Sequence, residues 1–240
     1  MEQAFVPTIN VMKFNDICKE LEDPSSSFGP SMAMVSGAPG RGKTEAAKQY
    51  AVNSQAIYIP PFLKRTAVML LKDISFELRG VRPNRTEGCM NIIRDEMDRE
   101  RRLIIIDEAD NLPLPLLEML RNINELCACP VVLVGEEKLK RKIASEPRLL
   151  DRVRSSMEFI PVAQTDIAYF FKRTFGGLTL EKDVCAAIHR YSKGTWRRAL
   201  KFAIAAERAM KASDTTEISK DLAELVIKEL RKDELNKDER

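Results

Sequence analysis

The amino-acid sequence predicts an α/β fold: a parallel sheet covered by helices on both faces, followed by a smaller helical part. Three observations carry that expectation. Five short apolar runs, rich in Ile, Val and Met, recur up to about residue 160 with helical patterns between them. A glycine-rich turn joins the first run to a helical stretch, as strand-to-helix connections in such folds do. Beyond about residue 163 the strand signal stops and only amphipathic helical periodicity remains.

Taken in order, residues 10–21 read as a helix and residues 23–27, Pro- and Ser-rich, as a loop. Strands are expected at residues 32–36, 56–59, 103–106, 131–134 and 157–160, the third being the most apolar. Helices are expected at residues 62–79, 85–102, 114–127 and 138–145. The later segments 165–175, 180–192, 195–212 and 218–230 carry plausible helix starts at Thr165 and Thr179 and stops at Gly176-Gly177 and Lys193-Gly194. The chain therefore divides into an α/β part over residues 1–163, a helical part over 164–231 and a charged, frayed tail over 232–240.

Composition bounds what such a chain can be. Its 240 residues are 44% hydrophobic and 31% charged with a net charge of +3, which excludes disorder for most of its length. No apolar run approaches the ~20 residues of a membrane helix. The first ten residues lack a basic-then-apolar secretory pattern, so an intracellular, cytoplasmic location with no membrane contact is expected. Cys18, Cys89, Cys127, Cys129 and Cys185 are scattered, and His189 is the single histidine, so reduced, packed thiols are expected rather than a transition-metal site. Basic residues concentrate in one interval: Lys64, Arg65, Lys72, Arg79, Arg82 and Arg85 face only Asp73 and Glu77. Such a patch on a near-neutral chain fits either an anionic partner or a solvated surface.

Directly after the first strand stands Gly37-Ala38-Pro39-Gly40-Arg41-Gly42-Lys43-Thr44, a full Gly-x-x-x-x-Gly-Lys-[Ser/Thr] match. A triphosphate needs many donors at short range, and a glycine-rich turn lets successive main-chain N–H groups converge on it. The helix that follows, with Lys43, Thr44 and Glu45 in its first turn, adds the partial positive charge of its N-terminus. Lys43 is expected to reach the β- and γ-phosphates and Thr44 to ligate Mg²⁺. A chance match occurs in about 1% of chains this long, and fewer with a strand before and a helix after. ATP and Mg²⁺ are the expected ligands. The third apolar run ends in Asp107-Glu108-Ala109-Asp110. Asp107 is placed at the C-terminal edge of the sheet, where it can hold the Mg²⁺ hydration shell. Glu108 is a candidate general base for water. Asp110 is expected to help start the next helix, around Pro113.

Together these residues resemble the AAA+ ATPases, whose two Walker motifs they match. The resemblance implies a three-layer P-loop NTPase with a five-stranded parallel sheet in the order 5-1-4-3-2 and a C-terminal helical lid. It covers about residues 10–230. Asp151 to Ser156 is similar to the arginine-finger segment of the initiator-like branch, with Arg152 favoured slightly over Arg154. Gly194-Thr195-Trp196-Arg197-Arg198 is similar to its sensor-2 motif, with Arg197 favoured over Arg198 and Trp196 read as a packing residue. One position departs: where sensor 1 has Asn, Thr or Ser, this chain has Gly135-Glu136-Glu137, and an ionised carboxylate cannot donate to a phosphate. Either Glu136 holds the water indirectly or that sensor is absent, and slow turnover fits both.

Within that branch, Phe5-Val6-Pro7-Thr8 and Val134-Gly135-Glu136-Glu137 look most like the transposition ATPases, the B proteins of Mu-like phages and related transposon adaptors. The resemblance implies an oligomer, a helical filament on double-stranded DNA, that selects target sites and stimulates a transposase in a bacterial host cell. Its DNA-facing elements lie between the second and third strands, which nominates Lys64, Arg65, Arg79, Arg82 and Arg85 for non-specific backbone contacts. A helicase loader or replication initiator shares every motif and is the alternative.

Overall fold

A computed structural model of the chain describes residues 5–27, 29–62 and 64–238, without the side chains of 26, 27 and 236–238. The described residues form two compact units. One holds Ile9–Ala38 and Lys43–Phe159; the other holds Pro39–Gly42, the segment ending at Thr8, and the chain from Ile160 onward.

The first unit is built on five strands: β1 Met32–Ser36, β2 Ile57–Ile59, β3 Ile104–Ile106, β4 Val131–Val134 and β5 Val153–Glu158. All pair in parallel in the order β2-β3-β4-β1-β5, which is the expected 5-1-4-3-2 read from the other edge. Period-2 alternation sends successive residues to opposite faces. Met32, Met34, Ile57, Ile59, Ile104, Ile106, Val131 and Leu133 pack beneath α3 (Ala67–Arg79), α4 (Thr86–Arg99), α5 (Leu114–Leu126) and α6 (Glu137–Ala144). Ala33, Val35, Ile105, Val132 and Val134 face α1 (Ile9–Glu22) and α2 (Lys43–Ser54). Both faces are covered, which is why the strands are apolar throughout.

Local chemistry sets several boundaries. Thr66 caps α3 by accepting from the Met69 amide, so the helix starts at Ala67 and not at residue 62. Gly80 ends it in the left-handed region at φ 70°, its N–H donating to the Phe76 carbonyl at 2.7 Å. A short helix, α7 (Pro147–Leu150), lies between α6 and β5 and has no counterpart in the sequence expectation. Strand β5 begins at Val153, earlier than the expected residue 157, because it extends along the whole of β1 past an irregularity at Met32/Ala33.

The second unit contains α8 (Gln164–Thr174), α9 (Lys182–Ser192), α10 (Trp196–Ala212) and α11 (Lys220–Asp238). Its core gathers Phe170, Phe171, Phe202, Tyr191 and Trp196 with Val6, Val162 and Ile188. The ring of Phe171 stacks on Phe175 at 5.4 Å and meets Phe170 and Phe202 edge-on. Helix α11 runs through residues 232–238, read from charge as tail. Its Lys, Glu and Leu residues are good helix formers, and Glu234 anchors it to Arg198 at 3.2 Å. All five cysteines are free and buried, and burial pushes the Cys129 thiol up to about 12. Among the described residues no helix is long and apolar enough to cross a membrane.

Phe14 ties the α1–α2 layer together: it is fully buried, with Tyr50 and Phe159 edge-on at 6.0 and 6.3 Å. Phe14→Ala is expected to destabilise this unit by about 3–5 kcal/mol, seen as a lower midpoint in urea unfolding.

Candidate nucleotide-binding site

The parallel register brings the ends of β1, β4 and β3 out at one sheet edge, since Val35 pairs with Val134 and Ile106 with Leu133. At the end of β1, Gly37 takes φ 151° with no room for a side chain: a Cβ there would sit 3.0 Å from both the Cβ and the carbonyl oxygen of Phe159. The Lys43 ammonium donates back to the Gly37 carbonyl at 2.6 Å and to the Ala38 carbonyl at 3.0 Å, which holds it over the turn. Thr44 is half-buried in the first turn of α2, and Glu45 is exposed, 3.8 Å from Lys48.

The loop segment Pro39–Gly42 packs within the helical unit. The Trp196 amide, at the start of α10, donates to the Gly40 carbonyl at 2.7 Å. Gly42, at φ 94°, lies against the indole: a Cβ there would come within 3.0 Å of Trp196 Cδ1. Trp196 therefore packs, as expected, and packs on this loop as well as on Phe170. Arg197 follows it, exposed, its Cβ 3.4 Å from where a Cβ on Gly40 would stand. Arg198 turns the other way, to Glu234 and over the Tyr191 ring at 5.9 Å.

The same loop bears on whether an anion fits. The Nε and Nη1 atoms of Arg41 are buried with no hydrogen-bond partner among the described residues. Unpaired buried guanidinium nitrogens are costly, and a phosphate is the acceptor that a planar donor fork matches. Glycines at positive φ and an orphaned cation in one loop are the donor set a polyphosphate requires.

Asp107 ends β3 and is 5% exposed. Its carboxylate is oriented twice: Tyr58 Oη donates to Oδ2 at 2.9 Å and the Glu108 amide to Oδ1 at 2.9 Å. Burial, then the Asp107 charge, push the Tyr58 phenol's pKa up, so Tyr58 remains a donor. Asp107 and Thr44 carry the oxygen ligands that suit Mg²⁺, a hard cation; when bound it would neutralise phosphate charge. The sequence singled out residues 56–59 only as a strand and missed Tyr58; a lone tyrosine in an apolar run was the available signal.

Glu108 is exposed and adopts the left-handed conformation at φ 48°. Asn111 Nδ2 donates to its Oε2 at 3.1 Å. Asp110 corrects the sequence expectation. It is 4% exposed and does not start α5, whose N-cap is Pro113 with no side-chain capping bond. It accepts instead from the Glu136 amide at 3.1 Å and pairs with Lys138 at 2.8 Å, binding the start of α6. That ion pair holds the Lys138 ammonium above its usual range, first through the hydrogen bond to Asp110. Glu136 and Glu137 are both exposed at the N-terminus of α6.

The remaining candidates divide. Arg152 precedes β5 and pairs with Glu125 at 2.7 Å. Arg154 lies within β5, not ahead of it. In the basic interval Arg65 is 7% exposed, donating to the Pro60 carbonyl at 3.0 Å, 3.4 Å from Asp73 and 5.7 Å over the Phe62 ring. That guanidinium braces its own loop. Arg79 bridges to Glu96 at 2.6 Å and Asp95 at 3.4 Å; Arg82 lies over Phe76 at 4.2 Å and 3.6 Å from Asp73. Among the described residues Lys64 and Arg85 are exposed with no ion-pair partner.

A parallel sheet in this strand order, with its phosphate loop and its Asp-Glu strand end, has the fold of the P-loop AAA+ ATPases. Residues 26–143 match a family described as an AAA domain. The expected likeness to the Mu-like B proteins is present in the sequence. The ATP-dependent target DNA activator B of Escherichia phage Mu is 31% identical over 132 residues, 54% of this chain and 42% of that protein. The DNA transposition protein B of the Mu-like prophage FluMu in Haemophilus influenzae is 31% identical over 111 residues, 45% of this chain and 39% of that one. The matched stretch thus spans less than half the length of these curated relatives. Among solved structures, the ORC2 protein of Aeropyrum pernix in its ADPNP–ADP complexes superposes with a TM-score of 0.68 at 16% identity, covering 95% of this chain and 70% of that one.

Arg41 offers a direct check on the anion site. Arg41→Met should raise nucleotide-free stability by about 1–2 kcal/mol, because it removes an unsatisfied buried donor. The same change should weaken ATP binding about tenfold. Thermal shift with and without ATP reads both.

Proposed function

We propose that this chain is an ATP-dependent DNA-binding ATPase that assembles on duplex DNA, selects target sites and stimulates a transposase. The observation that carries the ATP part is the phosphate loop with its orphaned Arg41; the Asp107–Glu108 strand end of the first unit supplies metal-ligating and basic groups. The transposition part rests on the likeness to proteins described as an ATP-dependent target DNA activator and as a DNA transposition protein. The likeness to an initiator stands at the level of fold alone, which favours transposition over helicase loading.

In this reading main-chain amides of the loop and Lys43 bind and orient the triphosphate. Thr44 and Asp107, the latter fixed by Tyr58, are the residues that would hold Mg²⁺. Glu108 takes a proton from the attacking water as it closes on the γ-phosphate. Arg152 or Arg154 of a neighbouring protomer neutralises charge on the transferring group, and Arg197 reports the bound nucleotide through its place beside Gly40. Nucleotide between protomers forms the assembly; hydrolysis dismantles it. Lys64 and Arg85, with the half-committed Arg79 and Arg82, provide the phosphate contacts to duplex DNA, giving affinity that falls with salt.

Two variants separate the steps. Lys43→Ala should abolish ATP binding and, with it, DNA binding. Glu108→Gln should retain ATP and persist on DNA, with turnover lowered about 100-fold or more. Filter binding to duplex DNA and phosphate release, with ATP and with ADP, test both. Normal turnover by Glu108→Gln removes that glutamate from the mechanism.

A further inference from the structure

Where the AAA+ resemblance calls for a side-chain hydrogen-bond donor at the end of β4, this chain has Gly135-Glu136-Glu137, whose side chains, when ionised, only accept. A donor of another kind stands one residue further on. Lys138 Nζ lies 2.8 Å from Asp110 Oδ2 and 2.9 Å from Asn111 Oδ1. It is kept there by a carboxylate that is itself anchored: Asp110 is buried and accepts from the Glu136 amide. A Cβ on Gly135 would come within 2.6 Å of Asp110 Oδ1, so the close approach of this carboxylate requires the glycine. A second lysine, Lys142, donates to the carbonyls of Asp110 and Leu112 at 2.7 Å each and pins the turn from the other side.

Donor and acceptor rules then fix the geometry at Glu108. A lysine ammonium can only donate, so the face of the Asn111 amide turned to Lys138 is its oxygen. The face left for Glu108 is therefore its NH₂, and an ionised carboxylate can only accept. Glu108 alone favours that face, and Lys138 doubles the constraint: reversed, the amide would set oxygen against the carboxylate and NH₂ against the ammonium. The backbone reinforces the constraint: Glu108 occupies the left-handed region at φ 48°, an unusual conformation for this residue, and the main-chain N–H of Asn111 donates to the Glu108 carbonyl at 2.9 Å.

We propose that Asn111 is the positioning residue for Glu108, and that Lys138, anchored on buried Asp110, sets the Asn111 amide in its donating orientation and so replaces the missing donor at the end of β4. Asn111 Nδ2 holds one oxygen of the Glu108 carboxylate, and the other is left to accept the proton of water. This rests on the reading of Glu108 as the general base of an ATPase.

The test compares Asn111→Asp, Lys138→Met and Lys138→Arg in the full chain, measuring kcat and KM for ATP with Mg²⁺ and duplex DNA, ATP affinity, and thermal unfolding. Asn111→Asp keeps the shape and adds a partner for Lys138, so a merely structural role would survive it. The expected result is a kcat lowered about 10- to 100-fold, with ATP affinity and KM within about twofold of the parent and an unfolding midpoint unchanged or raised. Lys138→Met should lower kcat several-fold, and Lys138→Arg, which restores a donor, should recover most of it. Parental kcat in Asn111→Asp, a loss of ATP affinity equal to the loss in kcat, or equal impairment by Lys138→Arg and Lys138→Met would overturn the proposal. A parent chain that binds ATP without hydrolysing it would instead remove the ATPase reading beneath it, and the two failures are distinguishable.

Discussion

Parallel pairing of β1, β4 and β3 is the constraint from which the site follows. Hydrogen bonds from Gly135 to Val35 and from Phe159 to Ser36 carry the ladder to the strand ends, so Gly37, Asp107 and Gly135 leave the sheet at one edge. A sheet buried on both faces is apolar along its length, and polar groups can enter only where its strands end. There the chain concentrates them: backbone amides and Lys43 after β1, Asp107 and Glu108 after β3, and the start of α6 after β4. A one-residue slip in any of these pairs would exchange the side chains packed on the two covered faces and carry the residues at the strand ends out of register.

Charge at that edge is managed by short-range pairing. Asp107 takes two donors and Asp110 takes two, while Glu108 takes one and remains exposed. The buried carboxylates are satisfied and hold geometry; the exposed one has a single side-chain donor among the described residues. In the loop, by contrast, half-buried Arg41 has two buried nitrogens without a hydrogen-bond partner among the described residues. Buried cationic nitrogens left without an acceptor favour an anion at that loop.

Much of this was legible in the chain. Strands β1 and β4 fall where continuous β-branched and apolar runs end in small or polar residues, and the phosphate loop and Asp107–Glu108 are local patterns with fixed spacing. What escaped reading depends on contacts far apart in sequence. Asp110 looks like a helix starter for α5 until Glu136 and Lys138, more than twenty residues later, are brought to it. Tyr58 is one strand residue among others until β2 pairs with β3 and delivers its hydroxyl to Asp107. Arg65 counts as one of a basic cluster, yet Asp73 and the Pro60 carbonyl draw it inside. Arg154 reads as part of a connecting segment because β5 is polar and half-exposed, unlike its neighbours. Helix α11 extends into residues whose charge signals a tail, because charge composition and helix propensity are independent properties.

The account stands on the grip of the loop from Gly37 to Thr44 on a magnesium-bearing triphosphate. Calorimetric titration of the unmodified chain with a non-hydrolysable ATP analogue, with and without Mg²⁺, tests it most directly. One site per chain, tightened by Mg²⁺, is the predicted result; absence of binding heat across temperatures and adenine nucleotides would contradict it.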